Sequence, residues 1–576
     1  MKIRPGNLKR LLAGAIFGLY MAHLLYYLNP QIDITPARLV TVTLVYGVVC
    51  GLLFGGILIG FRILRVRLFG RNAEFKPHGF GFIVAAAFIS ALVYWGHLFL
   101  LRIYLPPGAV RILSKATTIL GVTAFLLFLI WLFERNASRR TSNVLFALGC
   151  TLIAISAFFL YQRRDRYQPD EREVVVADIS VSDVRPVIFV AIEDLPYDWI
   201  LTMAGEGTVP FLSQDRGDVY FGRIEPFRTS SSKAIWASLI TGKLPYRHGV
   251  TGRFSYETLL NGSDQRYLIL PSGVGFRAWG LIPPVERISA SLPSGDSLPL
   301  WQMYERLRLP STVVNWPSTA ASLPIRASRA VGTRLIDGQD PNEGSPPAVT
   351  AEARSLRVTP QSLDAATSSR FDGVGHVRKE KVLSLVAQDL TAARITRKLL
   401  EQRRDPVTIL ALEGLTEAAQ TIGIAHNALP ASSSAAGRAM RAYVNLIDGE
   451  LAKIREENPD ALFVVVSPSA FNPPPFPADP ISFVRALLVT EDPGSFDGFI
   501  RLEGAGIRSE ENPPSSQVVD VVPTTLFAAG LPIGRDMDGI VATAAFDDAF
   551  LRRSLSLIQT YEAKQLVIRR PAPELR

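Results

Sequence analysis

Five nearly unbroken apolar stretches dominate the first 162 positions, at roughly 11–28, 39–61, 79–101, 117–133 and 143–161. Each approaches the roughly 20 residues that an α-helix needs to cross a hydrocarbon core about 30 Å thick. Several end in Tyr, Trp or Arg, side chains that anchor at the membrane–water interface. The pattern predicts an α-helical membrane domain of five transmembrane helices over 1–162. Beyond residue 185 the pattern changes. Short runs of β-branched and aliphatic residues at 187–192, 311–314, 408–412 and 462–466 read as buried strands. Stretches with helical period at 234–240, 300–307, 380–400 and 438–455 lie between them. This alternation predicts an α/β domain with a largely parallel sheet over 186–556. Residues 163–185 read as a charged linker and 557–576 as a C-terminal tail. The stretch 325–375, rich in Ser, Pro, Gly and Asp, has neither period and reads as an irregular excursion.

Charge sharpens this division. The 576 residues carry a formal net charge of +9, 48% apolar residues and 20% charged ones, and the mean hydropathy is +0.21. Residues 1–185 hold 21 Lys and Arg against 9 Asp and Glu, and the remainder holds 40 against 43. The basic excess therefore belongs to the apolar third, and nothing outside it is suited to hold a nucleic acid. With a cytoplasmic N-terminus, twelve basic residues fall in the inside loops and eight in the outside ones, from Arg38 to Arg172. That bias sets the N-terminus inside and everything after the fifth span outside. The first span is read as retained, because Tyr26, Tyr27 and Leu28 stand where a signal peptide has small residues. Short loops and an external domain fit a multi-pass protein of a bacterial inner membrane, with the lipid bilayer as its first partner. His23 and His97 lie inside spans that carry no acidic partner, and read as packed histidines rather than a transport path. Cys50 and Cys150 both lie in apolar runs, so neither a disulfide nor a thiolate cluster is available to the external domain.

The most informative segment contains VIFVAIEDLPYDW (187–199), GTVPFL (207–212) and PFRTSSSKAIWASLITGKLPYRHGV (226–250). It resembles the phosphodiesterase and nucleotide-pyrophosphatase branch of the alkaline phosphatase superfamily. Ser232 stands nine residues before Thr241-Gly242, with Pro245 and His248-Gly249 following at the family's spacing. LPLWQMYERLRLPSTVVNWPST (298–319) and VVDVVPTTLFAAGLPIGRDMDGIV (518–541) are similar to two further elements of that family. The resemblance implies an alkaline phosphatase-like fold, a nucleophile at Ser232 and two divalent metals to activate it. Ser232 precedes a predicted helix, whose free N–H groups favour an anion; a helix-capping serine without chemistry is the plain alternative.

The ligand positions that the resemblance implies do not carry ligands. Glu193 stands at the first Asp position, with Asp194 where the family has glycine. Thr416 and Gln420 occupy an Asp/His pair, Pro468 and Ser469 another, and 492–498 lacks the final His. Five of six ligands are thus absent and the sixth is altered. His248 matches the nucleophile region and is not a ligand position, while His376 and His426 have no counterpart. Two functions remain open. One is a membrane-anchored protein that has lost two-metal catalysis, needs no cofactor, and binds an anionic lipid head group or an envelope protein. The other is an active phosphodiesterase or phosphoethanolamine-type transferase using Ser232, with one divalent metal held by Glu193, Asp194, Glu413 and Glu417. A third reading, in which the spans move or flip a lipid, rests only on Arg102 and Arg111 near the outer surface.

Overall fold

The computed structural model describes residues 5–45, 47–48, 56, 60, 64, 67, 80–168, 176–180, 184–213, 217–227, 232–251, 254–258, 266–271, 285–289, 297–317, 328–424, 429–469, 497–553 and 555–569. The chain forms two compact units. The first contains Met1–Glu171 and Thr251–Ala290, and the second Arg172–Val250, Ser291–Pro475 and Glu491–Arg576.

The first unit is built from helices α1 (Pro5–Leu28), α2 (Pro36–Val45), α3 (Phe80–Leu100), α4 (Pro107–Glu134) and α5 (Arg139–Asp165). Four of them, α1, α3, α4 and α5, are long and apolar enough to cross a membrane. The expected span at 39–61 begins with α2, and most of it lies outside the described residues. Tyrosines join the helices: Tyr94 Oη donates to the Tyr20 carbonyl (2.7 Å), and Tyr27 Oη to that of Leu160 (2.9 Å). His23 and His97 each place Nδ1 on the carbonyl four residues earlier in their own helix, at 2.9 and 2.7 Å. That is the packed role expected of them.

Arg164, at the end of α5, is 3% exposed. It donates to the carbonyls of Tyr26, Asn29, Pro30 and Ile32. It thereby caps the C-terminus of α1, where carbonyls lack helical partners and a cation is favoured. Arg164→Ala is expected to destabilise the detergent-solubilised chain by roughly 2–4 kcal/mol, read as a lower temperature of thermal aggregation. An unchanged temperature contradicts this role.

The placement of 251–290 with the helices departs from the sequence expectation, which put it in the external domain. Asn29 is the cause. Its Oδ1 accepts from the Leu268 and Ile269 amides (2.8 and 3.1 Å), and its Nδ2 donates to the Ile269 carbonyl (2.7 Å). Tyr267 and Ile269 are buried in the same core as α1, α3 and α4. Phe254–Thr258 here forms a small antiparallel sheet with Arg266–Tyr267 and Val285–Ser289.

The second unit is organised by a nine-stranded sheet. Its strands are β1 (Val187–Ile192), β2 (Val219–Glu225), β3 (Ser311–Val314), β4 (Arg329–Val331), β5 (Gly344–Ser345), β6 (Val407–Leu412), β7 (Leu462–Ser467), β8 (Gly498–Glu503) and β9 (Ser516–Gln517). In space they run β9-β2-β8-β7-β1-β6-β3-β4-β5. The central pairs β7–β1, β1–β6 and β6–β3 are parallel, and β8 is antiparallel to both its neighbours. All six residues of β1, β6 and β7 are buried. Alternate residues feed two cores: Ile188, Val190 and Ile192 face one, and Val187, Phe189 and Ala191 the other. This explains the unbroken apolar runs, since a parallel sheet is covered on both faces. Helices α6 (Tyr197–Gly205), α7 (Ser232–Thr241), α8 (Leu300–Arg306), α9 (His376–Gln402), α10 (Gly414–Ile422) and α11 (Ala435–Glu457) provide that cover.

Three segments read as an excursion, a linker and a tail contain regular elements. The described part of 325–375 supplies β4, β5 and the helices Thr333–Asp337, Pro347–Ser355 and Ala365–Ser369. These elements are too short to show a period. β4 is anchored by a buried charge, with Arg329 paired to Asp405 at 3.0 Å. Val176–Ser180, from the expected linker, pairs in parallel with Gln565–Arg569, from the expected tail.

Candidate functional site

In an open parallel sheet, ligands bind beyond the carboxyl ends of the strands. Here the register sets Ile192 opposite Leu412, so the next residues, Glu193 and Glu413, leave the sheet as neighbours. Val314 of β3 pairs with Leu410 of β6, which brings Asn315 level with Ala411. Asn315 Nδ2 donates to the Ala411 carbonyl at 3.0 Å. Beyond these ends opens a cleft of about 550 Å³ whose walls include Glu193, Asn315, Asp337, Lys381, Asp389, Glu413, Thr416, Glu417 and Gln420.

Asp194 is buried and holds a left-handed backbone, φ 46°. This is the strained turn that a side chain at the family's glycine position implies. Each of its carboxylate oxygens accepts one hydroxyl hydrogen bond. Thr416 Oγ1 donates to Oδ2 (3.0 Å), and Ser469 Oγ donates to Oδ1 (2.6 Å). Ser467 Oγ accepts from the Leu195 amide and donates to the Ser469 carbonyl. On the other wall, Asp389 Oδ1 accepts from the amides of Glu413 (3.1 Å) and Gly414 (3.3 Å), and Oδ2 from Tyr443 Oη (2.8 Å).

Burial dominates the electrostatics. It pushes Asp389 up to about 7 against the hydrogen bonds from Tyr443 and the amides. It pushes Glu413 up to about 8, helped by the charges of Asp389 and Asp337. Asp194 rises to about 6, opposed by Ser469 and Thr416. Glu193 lies well above the usual carboxylate range through burial and the neighbouring Asp194 and Glu413.

The expected site residues thus come together in part. Glu193, Thr416 and Gln420 share the cleft, and Ser469 reaches it through Asp194. Pro468 is buried and carries no side-chain donor. Ser232 opens α7, half-buried, and is not among the residues lining the cleft. His376 starts α9 with its side chain 83% exposed beside Glu380, and His426 lies outside the described residues. Sequence reasoning missed Asn315 and Asp389. The one legible signal was a lone Asp at an otherwise apolar position of the 380–400 helix.

The motif behind the resemblance is largely structural here. Gly242, with φ 68°, passes so close to Val522 and Pro523 that a Cβ would approach each to 3.2 Å. Its carbonyl accepts from the Asp538 amide. Asp538 in turn accepts from the Leu244 amide, Tyr246 Oη and Arg247 Nε. Lys243 Nζ reaches Asp536 (2.5 Å) and Glu562 (2.8 Å). His248 Nδ1 accepts from the Val250 amide, so Nε2 carries the proton toward Ser238 Oγ at 2.9 Å. Burial, aided by the Lys243 charge, lowers this imidazole to about 3. It is a neutral core residue.

The pair of divalent metals that the resemblance implies does not fit this donor set. Hydroxyl, amide and proline side chains occupy the positions that must offset four positive charges. Among the described residues, no three His, Cys, Asp or Glu side chains are placed to hold a metal ion. Of the single-metal arrangement, Asp194 already accepts two hydroxyl hydrogen bonds and Glu417 is paired with Lys381 at 2.6 Å.

No protein-family model matches the chain, and no curated protein sequence does. Among solved structures, phosphonoacetate hydrolase from Sinorhizobium meliloti 1021 bound to phosphonoformate is similar at 14% identity and a TM-score of 0.32, over 52% of this chain. This chain spans about 60% of that hydrolase's length. A putative sulfatase from Bacteroides thetaiotaomicron VPI-5482 is 11% identical with a TM-score of 0.37, over 62% of this chain and 74% of its own. Wild-type alkaline phosphatase PafA is 8% identical with a TM-score of 0.40, over 63% of this chain and 99% of its own.

Proposed function

We propose that this protein is a membrane-anchored binding protein of the bacterial cell envelope, related to the alkaline phosphatase superfamily, whose outer unit does not perform two-metal phosphoryl chemistry. The observation that carries this reading is that Thr416 and Ser469, at positions where the resemblance requires metal ligands, present hydroxyls that donate to Asp194. A carboxylate whose two oxygens each accept a hydroxyl hydrogen bond has less to offer a metal ion, and Ser232 then lacks an activator. The proposed topology is five crossings with the N-terminus in the cytoplasm. Its support is the direction of α1 and α5. Tyr20 meets Ser156, Tyr27 meets Leu160, and the residues after Leu28 meet Arg164, so the two helices run parallel. Short connections make α3, α4 and α5 alternate, so α3 also runs parallel to α1. A return crossing between Leu28 and Phe80, proposed at the apolar stretch 39–61, completes this topology.

The test compares wild type with Ser232→Ala on an aryl phosphodiester, with zinc or manganese supplied to the detergent-solubilised full chain. Equal, background-level rates and no stoichiometric metal are expected. A wild-type rate that disappears in the variant, with two bound metal ions, identifies an active phosphodiesterase or transferase instead.

A further inference from the structure

We propose that the amino-terminal turns of α4 hold the phosphate of an anionic phospholipid, in the leaflet that meets this end of the helix. This rests on the reading of the chain as membrane-anchored and is independent of the cleft in the second unit. Ala109, Leu113, Ala116 and Leu120 lie on the buried side of α4. Arg111, Ser114, Lys115 and Thr118 lie on its other side, at i, i+3, i+4 and i+7, and all four are exposed. Further along, the same side is apolar, with Val122, Phe125 and Phe133 exposed. One face of a single helix thus passes from polar and basic to purely apolar.

The depth of that change identifies what the polar part meets. Trp131 marks the far boundary, with the Arg135 guanidinium 5.6 Å from its ring centroid, since tryptophan and arginine collect at membrane interfaces. At 1.5 Å per residue, Arg111 stands about 30 Å from Trp131 along the helix, which is the thickness of the hydrocarbon core. Lys115 stands about 24 Å along it and reaches the head groups through its flexible stem. The stacked rings of Trp95 and Phe99, exposed near the end of α3, mark the same near boundary. The described residues do not neutralise these charges. Neither Arg111 nor Lys115 has an ion-pair partner among them, and the sequence holds no Asp or Glu from Phe75 to Phe133. Arg102, exposed in the connection between α3 and α4, adds a third cation at this end. Orientation does not account for them either. In the proposed topology they lie outside, against the bias that places cations inside. Cations without a counter-ion at this level favour a lipid of net negative charge over a zwitterionic one. The Ser114 hydroxyl beside them can donate to a phosphate oxygen.

The test titrates phosphatidylglycerol and phosphatidylcholine with the same acyl chains into the detergent-solubilised full chain, read by native mass spectrometry. Phosphatidylglycerol is expected to bind at least tenfold more tightly, and to lose that preference in the Arg111→Gln/Lys115→Gln double variant. Arg111→Lys/Lys115→Arg keeps both charges and is expected to keep the preference. Arg135→Gln/Arg140→Gln, at the other end of the helices, is expected to keep it as well. Either single glutamine substitution replaces the first double variant if that does not fold. Equal affinity for the two lipids, a preference that survives the loss of Arg111 and Lys115, or one abolished only at the other end overturns the proposal. Dimers that Arg111→Gln/Lys115→Gln separates assign this face to a second copy and overturn it too. Release of the chain from membranes by alkaline carbonate is the separate result that removes the anchoring itself.

Discussion

Lys243→Ala is expected to destabilise the second unit by about 3–5 kcal/mol and to lower its melting temperature by several degrees. Lys243 belongs to the TGKLPYRHG run, where the resemblance draws attention to chemistry, yet its surroundings are those of a buried counter-ion. The residue is 3% exposed, and its ammonium lies between Asp536 and Glu562. Glu562 also accepts from the Leu298 amide, and Asp536 from Thr560. Burial alone would raise the Asp536 carboxyl. The Lys243 charge and the surrounding hydrogen bonds overcome that and hold it below its usual range. Without the lysine, two neighbouring, partly buried carboxylates lose their counter-ion, the costly half of a broken ion pair. The variant has a signature that simple loss of packing lacks. Its stability deficit shrinks on acidification as the stranded carboxylates take up protons. A melting temperature within one degree of wild type, or a deficit independent of pH, refutes this assignment.

Raising the pH from 5.5 to 8.5, with chelator present, is expected to destabilise the second unit by several kcal/mol, on the order of 1.4 kcal/mol for each unit of pKa displacement lost. The sign follows from the cleft. Asp194, Asp389 and Glu413 are raised in the folded protein to about 6, 7 and 8, and Glu193 is raised with them. In the unfolded chain such carboxyls titrate near pH 4, roughly. The folded state therefore holds protons that the unfolded state has released. This contribution is fully present below the unfolded value and is lost as the pH rises through the folded ones. His248 acts in the opposite direction. Its folded value of about 3 lies below an unfolded value of about 6.5, so its contribution is lost as the pH falls from 6.5 toward 3. The two trends place maximal stability on the acid side of neutrality. Melting curves across the range provide the check, and a temperature that stays level or rises between pH 6 and 8.5 contradicts the protonated cleft.

Particular residues show where the sequence was readable. The runs at 187–192, 407–412 and 462–467 are legible because a strand covered on both faces admits only apolar side chains. The apolar stretches at 11–28, 79–101, 117–133 and 143–161 are legible for a similar reason, since a helix able to cross a membrane is apolar over roughly 20 residues. β2 and β8 are harder to read because charge interrupts them: Arg223 reaches Asp497, and fully buried Arg501 meets Glu503. β4 and β5 have three and two residues, below any usable period.

The site divides in the same way. Local sequence determined which side chains stand at Thr416, Gln420, Pro468 and Ser469, none of them an Asp or a His, because identity at a position is a property of the chain alone. It also determined the division between an apolar, basic third and a nearly neutral remainder. Only the tertiary structure decided that Asp194 meets Thr416 and Ser469 across more than 200 residues of sequence, that Asn315 faces the cleft, and that Asn29 binds 268–269 to the membrane helices. These contacts depend on strand order and register, which bring chain ends together from distant segments. A one-dimensional pattern specifies which face of an element is buried, and leaves open which element it is buried against.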